Sequence, residues 1–264
     1  GQVLTSTGSG VAWENASSVG AINDLSDAKT FGTSSIMIGD ATTGTIDAAN
    51  YNVGLGVDVF AALTSGDDNI AIGFAALDAN TTASNNVGIG SNALGAVTTG
   101  SNNIGIGKDA GLVITTGAHN IVIGKDTGKA ITTGNYNVAV GKGAFADNTT
   151  ASNNTAIGYI ALKANTTGGN NTAVGKAALY TNTTADNNTA VGFQALYTNA
   201  GASNSALGHN ALFNNTTGEK NTVIGTSAGE NITTGDENVA IGYLALDALT
   251  TVSDNTAVGT RALS

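Results

Sequence analysis

The stretch Asn154–Asn170 reads NTAIGYIALKANTTGGN, and the chain repeats it with small changes on both sides. Asn171 opens NTAVGKAALYTNTTADN, and Asn188 opens NTAVGFQALYTNAGAS. The opening residue recurs every 17 positions, with one step of 16 after Asn188. A fixed period of this size predicts a repeat architecture in which each unit packs on its neighbours. The opening residues are Ser35, Asn52, Asn69, Asn86, Asn103, Asn120, Asn137, Asn154, Asn171, Asn188, Asn204, Asn221, Asn238 and Asn255.

We number the positions of each unit from its opening residue, so that Asn154 is position 1 and Asn170 is position 17. Positions 1 to 5 alternate, which predicts a short β-strand. Position 4 is Ile, Val or Leu in every unit, from Ile38 to Val258, and this predicts a buried column. Position 3 is Ala, Gly or occasionally Val or Met, and position 5 is always Gly, so that another backbone could come close there. We therefore expect the aliphatic side of the strand to face its own coil and the small side to face another chain.

Two further positions exchange volume with each other. Many units have Leu at position 9 and Asn at position 12, as in Leu162 and Asn165. Three units have Gly and Ile instead, namely Gly111 with Ile114, Gly128 with Ile131, and Gly229 with Ile232. Since close packing requires volume to be kept, both positions are predicted to fill the same interior space.

Composition narrows the fold and the function classes. Asn, Thr and Gly dominate each unit, and all three are poor helix formers, which excludes a helical solenoid. With no Cys, neither disulfides nor thiolate metal sites can form. A formal charge of −10 argues against a nucleic-acid partner, whose footprint is a basic surface. The sequence shows no transmembrane run, so no membrane insertion is expected, and no signal peptide or initiator Met, which suggests a piece of a longer polypeptide.

These observations predict an all-β fold, a parallel β-roll or β-helix solenoid of 17-residue coils. Its strands would stack about 4.8 Å apart. The recurring Asn would form a ladder in which each side-chain amide bonds to its counterparts above and below. We expect an N-terminal connector or capping segment over residues 1–34, whose first part reads as a hairpin, and a β-roll of fourteen repeats over residues 35–264, the last one truncated.

The repeat resembles sequences of two related kinds. N-[STIV]-A-[IV]-G-x-x-A is similar to the head repeat of YadA-like trimeric autotransporter adhesins, and NTAVGxxALxxNTTGxN resembles repeats of bacteriophage tail fibre proteins. The N-terminal GQVLTS…G…W pattern also resembles a connector of phage tail fibres. The resemblance implies a left-handed coil assembled as a homotrimer, which binds surfaces and catalyses nothing.

The expected function is therefore that of a structural and adhesive fibre protein, a phage tail fibre segment involved in host attachment. Its expected place is extracellular, on the virion. Its expected partners are two further copies of itself, other fibre or baseplate proteins at the ends, and a host-surface glycan. The alternatives are a bacterial trimeric adhesin head, a glycan-degrading tailspike and an ice-binding protein. No catalytic residue, cofactor or metal site is predicted.

One set of residues is a candidate binding site. Tyr180, Tyr197 and Phe213 share position 10, and Tyr159, Phe193 and Tyr243 share position 6. Stacking along the rod or packing between chains would explain both columns. A strip of exposed aromatic rings would also contact a glycan, since such patches mark binding surfaces. His119 and His209 lie in different columns, which argues against a catalytic triad and favours plain surface positions.

Overall fold

The computed structural model describes residues 2–7, 10–15, 28–31, 35–38 and 48–264, with side chains described from residue 35 onward. Strands β1 (Gln2–Thr7) and β2 (Gly10–Asn15) form an antiparallel pair, which confirms the predicted hairpin. Strand β3 (Ala28–Phe31) pairs antiparallel with β4 (Ser35–Ile38), and thirteen parallel strands follow. They are β5 (Val53–Leu55), β6 (Ile70–Ile72), β7 (Val87–Ile89), β8 (Ile104–Ile106), β9 (Ile121–Ile123), β10 (Val138–Val140), β11 (Thr155–Ile157), β12 (Thr172–Val174), β13 (Thr189–Val191), β14 (Ser205–Leu207), β15 (Thr222–Ile224), β16 (Val239–Ile241) and β17 (Thr256–Val258).

The parallel strands form one sheet in strict chain order, so the chain winds as a β-solenoid with one coil per repeat. Each residue pairs with the residue at the same position one coil later, as Thr155 pairs with Thr172 and Ile157 with Val174. The 16-residue unit keeps this register, because Thr189 pairs with Ser205. The missing residue is therefore absorbed in the turn and does not shift the strands.

Positive backbone φ angles bend each coil around its interior. In the coil 154–170 these residues are Gly158 (φ 137°), Ile160 (φ 50°), Leu162 (φ 49°) and Asn170 (φ 57°). A Cβ atom on Gly158 would lie 2.5 Å from the carbonyl oxygen of Gly175 in the next coil. Position 5 is always Gly because its φ and this close approach between coils exclude any side chain.

The predicted Asn ladder is present, but its uninterrupted bonds run from the backbone N–H of each opening Asn to the side-chain oxygen of the opening residue before it, and side-chain amides bond to each other only at some steps. Asn154 Oδ1 accepts a hydrogen bond from the backbone N–H of Asn171 (2.9 Å), and Asn171 Oδ1 accepts one from the N–H of Asn188 (2.9 Å). Asn171 Nδ2 also donates to the carbonyl of Ala185 at the end of its own coil (2.9 Å). Most opening Asn residues thus close their own coil and join it to the next, as buried polar groups generally find partners, although Asn86 Nδ2 is buried without one.

The interior contradicts the predicted orientation of the strand. Ala156 and Ala173 at position 3 are fully buried, whereas Ile157 at position 4 is 39% exposed. The prediction of a buried aliphatic column, with the small residues facing another chain, is wrong. Beside a Leu at position 9 the interior has little room for a strand side chain, since even a Cβ on Gly105 at position 3 would lie 2.6 Å from Leu94 Cγ.

The predicted exchange of volume is confirmed. Leu162 and Asn165 are both buried, and so is Ile114 at the position of Asn165. A Cβ on Gly111, at the position of Leu162, would lie 2.9 Å from Ile114 Cδ1, so the two positions compete for one space. Position 3 takes part as well, because a Cβ on Gly128 would lie 2.7 Å from Val122 Cγ1.

Candidate binding surfaces

The outer face of the parallel sheet carries two rows of side chains, at positions 2 and 4, which we call the aliphatic face. Every position-4 residue from Ile38 to Val258 is partly or fully exposed, and Val258 reaches 66%. Positions 2 and 4 point the same way because side chains alternate along a strand. The aliphatic face therefore runs the length of the solenoid.

The aliphatic face has two chemically different halves. From Ile36 to Val138, position 2 is Ile or Val, so both rows are aliphatic. From Thr155 onward, position 2 is Thr or Ser, with Val239 as the exception. Where Ser205 provides the shortest side chain, a shallow depression of about 190 Å³ opens over Ala206 and Val223.

The aromatic rings at position 10 form a stacked column. The ring centroids of Tyr180 and Tyr197 lie 5.1 Å apart, those of Tyr197 and Phe213 lie 5.0 Å apart, and each pair is within 6° of parallel. Lys163 Nζ lies 5.6 Å from the Tyr180 centroid, on the preceding coil. The ring faces are therefore turned towards one another, and solvent meets mainly ring edges and the tyrosine hydroxyls. Glycan contact at this column stays a prediction.

A second column lies at position 6, where the chain turns out of each strand. Tyr159, Phe193 and Tyr243, the three aromatic residues predicted to share it, are all exposed. Exposed lysines share the column as well, and the sequence analysis did not connect them with the rings. Lys176 Nζ lies 5.4 Å from the Phe193 centroid, and Phe193 stacks on His209 at 5.1 Å. The spacing of the lysines could have revealed this, since Lys142 and Lys176 are two periods apart and therefore share position 6 with the aromatic residues.

The two histidines are surface residues with aromatic partners. His119 stacks on Tyr136 with a centroid distance of 4.8 Å, one coil apart at position 17. His209 belongs to the position-6 column. Within residues 48–264, each histidine side chain contacts a neighbouring ring, and neither forms a hydrogen bond with a Ser or an Asp.

Asp78 is a partly buried carboxylate. It lines a shallow depression with Asn92, and Asn92 Nδ2 donates to Asp109 Oδ1 (2.9 Å). Burial raises the pKa of the Asp78 carboxyl above its usual value, and the nearby charge of Asp58 adds to this shift against two backbone hydrogen bonds. Glycoside hydrolysis needs two carboxyl groups across a substrate groove, and this depression offers one.

The described ranges contain no cluster of three or more His, Cys, Asp or Glu side chains that could hold a metal ion. In the same ranges, no helix has the length and apolar character to span a membrane. No family model, curated protein or solved structure matches the chain.

Proposed function

We propose that this chain is a segment of an extracellular fibre, most simply the shaft or adhesive part of a phage tail fibre, and that it assembles as a homotrimer through the aliphatic face. The observation that carries this proposal is the continuous outer row of Ile, Val and Leu from Ile38 to Val258. A monomer would leave this row in water along the whole solenoid.

The size of the aliphatic face supports burial against other chains. Thirteen coil steps of about 4.8 Å give a length of roughly 62 Å, and two rows about 7 Å apart cover on the order of 430 Å². The largest apolar patch on a typical monomer is about 300–600 Å². The face thus falls in a range where the largest patch of a protein is often functional, and its continuity along the whole solenoid favours burial against other chains, although affinity depends on more than area.

Further copies of the same chain are the partner that this face fits best. Parallel copies in register would place the aliphatic half against the aliphatic half and the Thr half against the Thr half. Rotation about the long axis lets one face serve every copy, as in a cyclic oligomer. The number three and the left-handed winding come from the resemblance of the repeat. A bacterial adhesin head would share this assembly, and gene neighbourhood separates the two, since capsid and baseplate genes would flank a fibre gene.

The test is the mass of the intact chain in solution, with charges introduced at the face. We expect sedimentation equilibrium to give three times the chain mass of 25.9 kDa. The variant Val140→Asp/Ile157→Asp/Val174→Asp places three adjacent charges on the aliphatic face. It should dissociate into folded monomers, because carboxylates buried at an interface without partners are costly.

The matched control carries the same charges in the same three coils, at the exposed position 14. The variant Thr150→Asp/Thr167→Asp/Thr184→Asp should remain a trimer with the parent's thermal stability. A parent that is a stable monomer at micromolar concentration refutes the assembly, and so does a face variant that keeps the trimer mass.

A second candidate function rests on the Thr half of the same face. Thr155, Thr172 and Thr189 stand in a row beside Ile157 and Val174, which creates a flat, regular array of hydroxyl and methyl groups. Such an array on a rigid sheet could hold an ordered layer of water and bind ice. The Thr-Thr turn does not contribute to it, because hydroxyls such as that of Thr166 donate to the next coil.

Ice binding requires the aliphatic face to be open to water, so the measurement of the oligomer mass distinguishes it from the fibre function. A monomeric chain should shape ice crystals and show thermal hysteresis, and Thr172→Asp/Thr189→Asp should abolish both. A trimer without ice activity leaves the fibre proposal in place.

A further inference from the structure

The position-6 column concentrates positive charge on an acidic chain. Position 6 holds Lys108, Lys125, Lys142 and Lys176, out of nine basic residues in a chain with a net charge of −10. No acidic residue occupies position 6 from residue 52 onward. From residue 52 onward, the formal charges in this column are therefore all positive, although the chain as a whole is acidic.

The four lysines fall into two classes. Lys108 and Lys125 lie 3.8 and 3.9 Å from the carboxylates of Asp109 and Asp126, the residues that follow them. Lys142 and Lys176 are followed by Gly143 and Ala177, and neither forms an ion pair within the described chain. The uncompensated charge on this edge thus belongs to the second pair.

Tyr159 stands between these two lysines, one coil from each. Its side chain is 47% exposed. Unlike Phe193, which has Lys176 on one side and His209 on the other, Tyr159 has no ring or cation stacked on it in the described structure. Lys142, Tyr159 and Lys176 therefore present a cation, a free aromatic face and a second cation along the edge.

The backbone holds this triplet in place. The N–H of Ile160 donates to the carbonyl of Lys142 (3.1 Å), and the N–H of Ala177 donates to the carbonyl of Tyr159 (3.0 Å). The spacing of the coils places the two lysine backbones about 10 Å apart, with the tyrosine midway. A rigid arrangement of this kind loses little entropy on binding a rigid partner.

We propose that Lys142, Tyr159 and Lys176 bind an acidic polysaccharide that lies along the solenoid, a role that rests on the fibre's adhesive function and gives it a substrate class. The apolar face of a sugar ring packs on an aromatic ring, and its carboxylates pair with ammonium groups in charge-assisted hydrogen bonds. A polymer with a carboxylate on each sugar offers such charges at regular intervals, as the column does.

The site is distinct from the position-10 column of Tyr180, Tyr197 and Phe213. Those rings cover one another's faces, and their cation, Lys163, is 4.0 Å from the carboxylate of Asp147. Position 6 combines an open ring with unpaired charge.

The experiment measures binding of the intact chain to oligogalacturonate, oligomannuronate and oligosialate by titration calorimetry, with malto-oligosaccharide as the neutral control. We expect binding of at least one acidic oligosaccharide and none of the neutral one. Lys142→Gln/Lys176→Gln should weaken it by at least about tenfold, the factor that corresponds to 1.4 kcal/mol. Tyr159→Ala should weaken it as well.

Two matched controls separate the site from simple charge. Lys108→Gln/Lys125→Gln removes the same charge from the same column but at carboxylate-paired lysines, and binding should stay within about twofold of the parent. Tyr243→Ala removes a ring of equal exposure (49%) from position 6, but between Thr226 and Thr260, and should have no effect.

Three results would overturn the inference: no binding of any acidic oligosaccharide, equal losses from both lysine pairs, or equally tight binding of a thymidine oligonucleotide of the same charge. The same samples report the oligomer mass. Trimers that bind no saccharide refute this site alone, whereas monomers that bind it refute the fibre assembly and leave the site standing.

Discussion

The exchange of volume in the interior gives a prediction that the structure allows to be worked out in detail. In the coil 221–237, Val223, Gly229 and Ile232 occupy positions 3, 9 and 12, where the preceding coil has Ala206, Leu212 and Asn215. The triple variant Val223→Ala/Gly229→Leu/Ile232→Asn gives this coil the composition of its neighbour. We expect the triple variant to be nearly as stable as the parent, although two of its single substitutions are severely destabilising.

The magnitudes follow from the packing around Gly229. A Cβ there would already lie 3.0 Å from Ile232 Cδ1 and 3.4 Å from Val223 Cγ2. Gly229→Leu alone therefore overpacks the interior and should cost about 1–3 kcal/mol or more. The backbone itself is compatible, since φ is 54° at Gly229 and 53° at Leu212.

Ile232→Asn alone replaces a fully buried isoleucine with a smaller, polar side chain. The loss of an isoleucine side chain there should cost about 2–5 kcal/mol, the range for large-to-small core substitutions. In the triple variant the leucine refills this volume, and the new asparagine amide reaches Asn215 Oδ1, a buried oxygen without a hydrogen-bond partner. The asparagines at position 12 form a second ladder, in which Asn215 Nδ2 donates to Asn199 Oδ1 (2.8 Å). In the triple variant the final unpaired oxygen of this second ladder moves one coil on, to the level of Leu249, which is only partly buried.

The assay is hydrogen exchange of the Thr222 and Gly225 amides, which bond to Asn238 and Leu207 in the coils on either side. Local exchange suits a repeat protein, whose coils need not unfold together. The single variants should lose protection by the amounts given above, and the triple variant should fall within about 1 kcal/mol of the parent. If the triple variant loses the sum of its single losses, the three side chains do not share one space.

Three shorter predictions concern single positions. Gly158→Ala should destabilise the fold by about 3 kcal/mol or more in thermal unfolding, because the added Cβ would collide with the next coil. Gly143→Ala is the control, since the nearest atom to a Cβ there is 3.4 Å away. Equal losses of stability in the two variants would contradict the close approach at Gly158. Asn171→Ala should cost about 1–3 kcal/mol, since it leaves the buried Asn188 N–H without an acceptor, while the Ala185 carbonyl keeps Asn182 Nδ2 as a donor. The exposed Asn170→Ser should be neutral, and a tolerated Asn171→Ala would mean that the ladder does not support the fold. Burial raises the pKa of folded Asp78 above its usual 3.8, so folding favours the protonated form and stability falls as the pH rises through that raised pKa. Asp78→Asn should therefore raise the melting temperature at pH 7, and the difference should shrink as the pH is lowered towards 3.8; a pH-independent difference would refute this origin.

Much of the fold could be predicted because the repeated units can be aligned with one another, which shows what each position accepts. The 17-residue period predicted the solenoid, and the recurring Asn predicted a ladder, which is seen between Asn154, Asn171 and Asn188. Leu162 with Asn165, compared with Gly111 and Ile114, gave the shared interior space.

Which face of the strand points into the interior could not be predicted by ranking side chains by hydrophobicity. That ranking places Ile157 inside and Ala156 outside, and the structure has the reverse. The interior of one coil is already occupied by Leu162 and by the amides of Asn154 and Asn165, so only small residues fit beside them. One sequence signal did indicate that position 3 faces the interior. The larger Val122 at position 3 occurs in the unit that has Gly128 at position 9, as expected if the two positions share interior space.

The binding surfaces were predicted only in part, because they depend on which columns lie beside each other. The sequence identified the column of Tyr180, Tyr197 and Phe213, but it could not show that the rings cover one another. The free face of Tyr159 between two unpaired lysines becomes visible only with the neighbouring contacts in hand.

The direction of the backbone hydrogen bonds has a mechanical consequence. In a parallel solenoid these bonds, such as those from Ile160 to Lys142 and from Ala177 to Tyr159, run along the long axis. A pull on the two ends would load successive coils in series, so that a lone chain would peel open one coil at a time under modest force. Side-by-side copies would have to open together, and the load would then be shared among them. Tensile strength in a fibre of this design therefore comes from contacts across the bundle, and the chain alone would behave as an extensible spring.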